Sequence, residues 1–148
     1  MLLDDNAVTS VLTRLLSAGP LDALPKRRSD LIVLLALASA LFKAKRAYFE
    51  VEVNERLIAW LDTFASRTSL DHVTMRRELV DQHFLVRNRA GSVYQLSTNK
   101  LDATIETSAR SIDPAAVLIA AQLQREERKR ARRDRLSAGE FADATASF

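Results

Sequence analysis

Asp71-His72-Val73-Thr74-Met75-Arg76-Arg77-Glu78-Leu79-Val80-Asp81-Gln82-His83-Phe84-Leu85-Val86-Arg87-Asn88-Arg89-Ala90-Gly91-Ser92-Val93-Tyr94-Gln95-Leu96 is the stretch whose reading decides the fold. Asp71 suits a helix N-cap, because its short side chain accepts from an otherwise unpaired N–H of the first turn. Met75 and Leu79 lie four apart, which predicts a helix over about 72–82 with that pair facing inward. The same spacing turns Arg77 most nearly away from the inward line and leaves Arg76 nearer to it. Phe84-Leu85-Val86 then reads as a strand, residues 87–91 hold turn chemistry and two arginines, and residues 92–96 read as the returning strand, with Val93 and Tyr94 as strand formers. A helix followed by such a hairpin is the reading head of a winged helix-turn-helix domain.

Upstream, Val53, Leu57, Trp60, Leu61 and Phe64 predict a helix over about 50–65, with Glu50, Glu52 and Glu55 opposing the positive end of its dipole. Ala47-Tyr48-Phe49 before it suits a brief strand, and residues 67–69 after it read as a turn. The run from Leu31 to Phe42 is apolar nearly all round, which marks the central core helix, starting at Ser29 or Asp30. Near the N-terminus, Val8, Val11, Leu12, Leu15 and Leu16 form one apolar stripe of a helix capped by Asp5 or Asn6 and ended by Gly19-Pro20. Downstream, residues 98–112 show no clear period. Asp113-Pro114 opens a last helix that begins apolar (Val117, Leu118, Ala121) and ends basic over residues 125–135. The expected fold is therefore mainly α with a small β-hairpin: a winged helix-turn-helix domain at 25–97, an N-terminal amphipathic helix and linker at 1–24, a linker and C-terminal helix with a basic end at 98–137, and a disordered tail at 138–148.

A chain of 148 residues with 47% apolar content builds one core. The absence of cysteine excludes disulfides and thiolate metal sites and suits the cytoplasm. No secretory leader is visible, and the 12-residue apolar run is too short to span a bilayer, so no membrane association is expected. Net charge is only +3, but its distribution is uneven. Basic residues cluster at Lys26-Arg27-Arg28, at Lys43, Lys45 and Arg46, and between residues 125 and 135. No P-loop, glycine-rich dinucleotide loop or nucleophile elbow is present, His72 and His83 have no cysteines or clustered acids beside them, and Glu50 and Glu52 are spaced so that they do not face each other on a helix. Neither catalysis, a metal nor a cofactor is expected.

The candidate DNA-contacting residues follow from placement. Arg76 and Arg77, with Thr74 and His72 near the helix start, supply donors for bases or phosphates; alternatively Glu50, Glu52 and Glu78 pair with the arginines inside the fold, a reading that weighs most on Arg76. Arg87 and Arg89 flank the wing tip, where arginine suits a minor groove or a solvated hairpin equally. Lys26, Arg27 and Arg28 open a helix against its dipole, which suits a bound anion such as phosphate and equally a simple solvated helix start. The 125–135 run reads as a nucleic-acid arm, as a solvated helix, or as the free end of a helix docked on another subunit.

Three motifs carry a family resemblance: Leu24-Pro25-Lys26-Arg27-Arg28 leading into the apolar helix; Tyr48-Phe49-Glu50-Val51-Glu52-Val53-Asn54-Glu55; and Asp71 to Asp81 followed by Phe84-Leu85-Val86-Arg87 and Tyr94. In this order, over about residues 8–97, the chain resembles the bacterial domain-of-unknown-function family numbered 2087. It departs from that pattern at His83, where the family usually has glycine, and at Gln95-Leu96, where the family's tyrosine is commonly followed by Trp-Arg. The resemblance implies a winged-helix fold and an occurrence within or beside transcriptional regulators.

Two functions are open on the sequence. One is a DNA-binding transcriptional regulator acting on double-stranded DNA at the nucleoid, as a homodimer joined through Val8, Val11, Leu12 and Leu15 of the first helix and Val117, Leu118 and Ala121 of the last. The other is a winged-helix protein–protein module that binds no DNA, its arginines being structural or gripping an acidic partner.

Overall fold

The structure, a computed structural model, describes residues 2–66 and 70–146, the stretch 140–146 as backbone only; the turn expected at residues 67–69 lies outside the described residues. Helix α1 (Asp5–Leu15) starts one residue earlier than its spacing suggested, because Asp4 is the cap and accepts from the Ala7 N–H at 2.9 Å. Its stripe of Val8 and Leu12, continued by Leu16 just beyond the helix, is buried. Helix α2 (Arg28–Ser39) is apolar all round for the reason its sequence suggests: it is enclosed, touching α1 and elements further along the chain, with residues 33–38 buried. Its one buried acid, Asp30, receives two hydrogen bonds from the Arg14 guanidinium of α1, at 2.7 and 2.8 Å. Those bonds hold the Asp30 carboxyl below the usual carboxylate range, against the opposing effect of burial.

Strand β1 (Ala47–Phe49) leads directly into α3 (Glu50–Leu61), and α4 (His72–Asp81) leads into the hairpin β2 (Leu85–Arg87) and β3 (Val93–Leu96). The three strands form one antiparallel sheet in the order β1-β3-β2, with Tyr48 opposite Tyr94 and Leu85 opposite Leu96. Tyr48, Tyr94, Leu85 and Leu96 are buried. Phe49, Val86 and Gln95 lie on the other side and are exposed, the alternation a strand imposes. The sequence reading placed β1 without its partner; the pairing to β3 makes a three-stranded sheet of what was read as a two-stranded hairpin.

Residues 98–112, without a visible period, fold as a short helix α5 (Thr98–Thr104) and a 3₁₀ turn (Thr107–Ser111). Between the two, Ile105 is extended and forms a bridge with Leu3, so Leu101, Ile105 and Ala109 are buried from three different backbone conformations and no single period shows. Helix α6 (Pro114–Ala146) opens at Asp113, whose Oδ1 accepts from the Ala115 N–H at 3.0 Å. It continues as helix to Ala146, through most of the tail expected to be disordered from 138; residues 147–148 lie outside the described residues.

All these elements share one core. That corrects the surface expected to join two subunits. Val8 and Leu12 are fully buried in this chain's own core, Leu118 joins them there, and Val11, Leu15 and Val117 pack against it. Helices α1 and α6 touch each other, so each stripe is satisfied within one chain. No helix among the described residues is long and apolar enough to cross a membrane.

Candidate nucleic-acid interface

Helix α4 is fixed at both ends and in the middle. At its start the Asp71 side chain accepts from the Thr74 N–H at 2.7 Å, which holds the Asp71 carboxyl below its ordinary range. Its inward face is Met75 and Leu79, both fully buried. At its end the His83 N–H donates to the Val80 carbonyl at 3.1 Å and the Phe84 N–H to the Leu79 carbonyl at 2.8 Å. These two bonds make a Schellman stop, which places His83 in the left-handed region at φ +67. The position where the sequence departs from the family's glycine is thus the position whose backbone favours one, and the chain adopts the conformation with histidine all the same.

In the middle, Arg76 is spent inside the fold. Its Nη2 pairs with Glu50 Oε1 at 3.1 Å and its Nη1 donates to Asn54 Oδ1, with the side chain only 13% exposed. Glu50 and Asn54 lie four apart on α3, so one face of that helix presents both acceptors to one guanidinium. Of the two acceptors the sequence reading named only Glu50. Glu52 is used otherwise: it accepts from the Phe49 N–H at 3.1 Å and pairs with Arg46 at 3.2 Å. What α4 shows to solvent is Thr74, Arg77 and Asp81, with Glu78 half-buried beside them and His72 half-buried at the start. That face carries one arginine against two carboxylates.

The hairpin is held by a residue the sequence reading treated only as turn chemistry. Asn88 Oδ1 accepts from the N–H groups of Ser92 (3.0 Å) and Val93 (3.2 Å), and the Asn88 Nδ2 donates to Ser92 Oγ at 3.2 Å. The Gly91 N–H closes the turn on the Asn88 carbonyl at 3.0 Å with Gly91 at φ +69, a left-handed position that glycine reaches without strain. Arg87 and Arg89 project from this rigid tip and are exposed. The tip is tied to α3 through the Glu50 N–H, which donates to the Ser92 carbonyl at 3.1 Å. Arg76, the start of α3 and the hairpin therefore form one braced unit.

Lys26, Arg27 and Arg28 are exposed but belong elsewhere. Helix α2 is 12 residues, about 18 Å, long. Its C-terminal end meets the sheet, where Phe42 packs edge-on against Tyr48 at 5.1 Å and the Lys43 N–H donates to the Tyr48 hydroxyl at 2.8 Å. The basic triplet lies at the opposite end, where Arg28 borders Leu3, Ala103 and Thr104. The candidate DNA-contacting residues thus divide into Arg77 with Arg87 and Arg89 near one end of the fold, Lys26 to Arg28 at another, and Arg76 inside. No group of three or more His, Asp or Glu residues is placed to hold a metal ion among the described residues.

The class is now defined: a small, mainly helical domain with one three-stranded antiparallel sheet, a braced helix-and-hairpin unit and a long protruding C-terminal helix. The family model described as uncharacterized protein conserved in bacteria (DUF2087) matches residues 20–96, more than half of the chain. The chain belongs to that bacterial family. No curated protein and no solved structure matches it.

Proposed function

We propose that this protein binds double-stranded DNA as a winged-helix transcriptional regulator of the bacterial cytoplasm, with no reaction assigned to it. The observation that carries the reading is the braced unit: a capped helix with Thr74 and Arg77 outward, followed at once by a rigid hairpin with Arg87 and Arg89 exposed at its tip. The strand order β1-β3-β2, with α3 and α4 between β1 and the hairpin, supports a winged-helix assignment. On this reading α4 enters the major groove, Arg77 reads a guanine edge or a phosphate, and the wing follows the neighbouring backbone. The assignment does not need a second subunit.

A second reading has its own observation. Glu78 and Asp81 share the outer part of α4 with Arg77, and the outer face of the sheet exposes Phe49 (65%) and Val86 (59%). A mixed-charge helix face near exposed apolar side chains suits a protein partner. Titrating salt against a mixed-sequence duplex separates the two. A DNA reader loses affinity steeply as salt rises, and Arg77→Ala with Arg87→Ala and Arg89→Ala weakens it further. Absence of duplex binding even at low salt overturns the first reading and leaves the second.

A further inference from the structure

The charge that α4 lacks is concentrated on α6. Of the chain's 22 Lys and Arg and 19 Asp and Glu, seven cations and three acids fall within residues 125–135, leaving 15 against 16 elsewhere. The net positive charge of the protein is therefore the charge of this one segment. It stands clear of the body: residues 122–139 are exposed, except that Arg125 is half-buried where the helix departs.

The cations are also sorted. At 3.6 residues per turn, Arg125, Arg128, Lys129, Arg132, Arg133 and Arg135 fall within an arc of about 160°, while Glu127 and Asp134 lie on the far side. Arg130, outside the arc, faces Glu126 one turn back at 3.9 Å. The cationic arc continues the stripe by which α6 sits on the body, since Pro114, Leu118, Ala121 and Arg125 follow one another along the helix at intervals of three or four residues. Past the body, the side that was apolar becomes basic. A partner on the arc therefore lies on the same side of the helix as the body.

We propose that this arc is a binding surface for the phosphate backbone of nucleic acid, and that it supplies most of the chain's electrostatic affinity. Three features favour that occupant. First, Arg125 and Lys129, Arg128 and Arg132, and Lys129 and Arg133 are like-charge pairs four apart, an arrangement that weakens a free helix and is relieved by a bound polyanion. Second, the arc is a straight row of mostly arginine donors repeating at each turn, which suits a regular line of phosphates. Third, residues 124–135 hold no large apolar side chain, so the segment has neither the anchors of a protein interface nor the apolar face of a membrane-surface helix. The identity of the polyanion rests on the DNA-binding reading above; the residues are different ones.

The test uses the full chain and a labelled mixed-sequence duplex, with affinity followed from about 50 to 200 mM salt. One variant carries Arg128→Gln, Lys129→Gln, Arg132→Gln and Arg133→Gln; a second carries Arg77→Ala, Arg87→Ala and Arg89→Ala. All the changed positions are exposed, and an unchanged thermal melt checks that both variants fold. Each phosphate contact removed lowers the log–log salt slope by about 0.9, so the arm variant flattens it by about 3 to 4 and weakens binding by at least about tenfold. The α4-and-wing variant changes the slope less. An arm variant that keeps the wild-type slope while the α4-and-wing variant loses binding overturns this inference and leaves the DNA-binding reading standing. A wild-type chain that binds no duplex at low salt overturns both. If poly-glutamate displaces the duplex at equal charge concentration, the arc takes acidic chains in general and the nucleic-acid assignment falls.

Discussion

Helices α4 and α6 contrast in how sequence and charge are used. Helix α4 is 10 residues long, capped by Asp71, stopped at His83 and clamped by Arg76, and it shows solvent a nearly balanced face. Helix α6 is 33 residues long, packs only its start, and carries an exposed one-sided row of cations. The first is held firmly and carries little net charge; the second carries the charge and is held only at its start. The difference teaches that position in the fold and electrostatic pull can sit on separate elements. On such a protein, what the braced helix does and what the charged helix does are separable by mutation.

The largest effect separates the two parts of α6. Leu118→Ala removes a buried side chain from the common core and costs about 2 to 5 kcal/mol. Ending the chain after Gln124 removes a segment whose residues 126–139 are exposed and changes stability by no more than about 0.5 kcal/mol. Urea denaturation of both variants measures this. A truncation as damaging as Leu118→Ala breaks the comparison, because it makes the distal half of α6 part of the body.

A smaller effect separates neighbours within α4. Arg76→Ala leaves Glu50 and Asn54 without their guanidinium and costs about 1.5 to 3 kcal/mol, the range for hydrogen bonds to charged groups. Arg77→Ala stays within about 0.5 kcal/mol, as expected of an exposed position. In duplex binding the order reverses once folding is accounted for, with Arg77→Ala the weaker binder. Equal stability losses at the two positions would make Arg77 a second brace.

The parts of this arrangement differed in how legible they were. Helix α4, its Asp71 cap, the hairpin and β1 could be read because each is set by local chemistry: a cap, a four-residue spacing, turn residues and strand formers. The inward lean of Arg76 was visible in its spacing and Glu50 was marked as a partner by its charge, but Asn54, a neutral acceptor, carried no such mark. Residues 98–112 were unreadable because their buried side chains come from a helix, an extended residue and a 3₁₀ turn in succession. The stripe on α1 was seen correctly and its destination was not. A stripe states that a face is buried without stating against what, and here it is this chain's own α2 and α6. For the same reason the basic clusters could be listed along the chain but not grouped, and only the lie of α2 separates Lys26 to Arg28 from the hairpin.

The smallest effect concerns the start of α4 and is read by pH. The Thr74 N–H lowers the Asp71 carboxyl below its ordinary value, so Asp71 stabilises the fold when ionised. For a group depressed in the folded state, that contribution is complete above the unfolded value near about 3.9 and is lost as pH falls through the folded one. Asp71→Asn keeps an equally good cap acceptor but removes the charge facing the helix dipole. At neutral pH the wild type is therefore more stable than the variant by about 0.3 to 1 kcal/mol, and the two converge below about pH 4. Thermal melts across that range measure the gap. A gap that persists in acid would place the benefit of Asp71 in its shape instead of its charge, and α4 would then be braced by geometry alone.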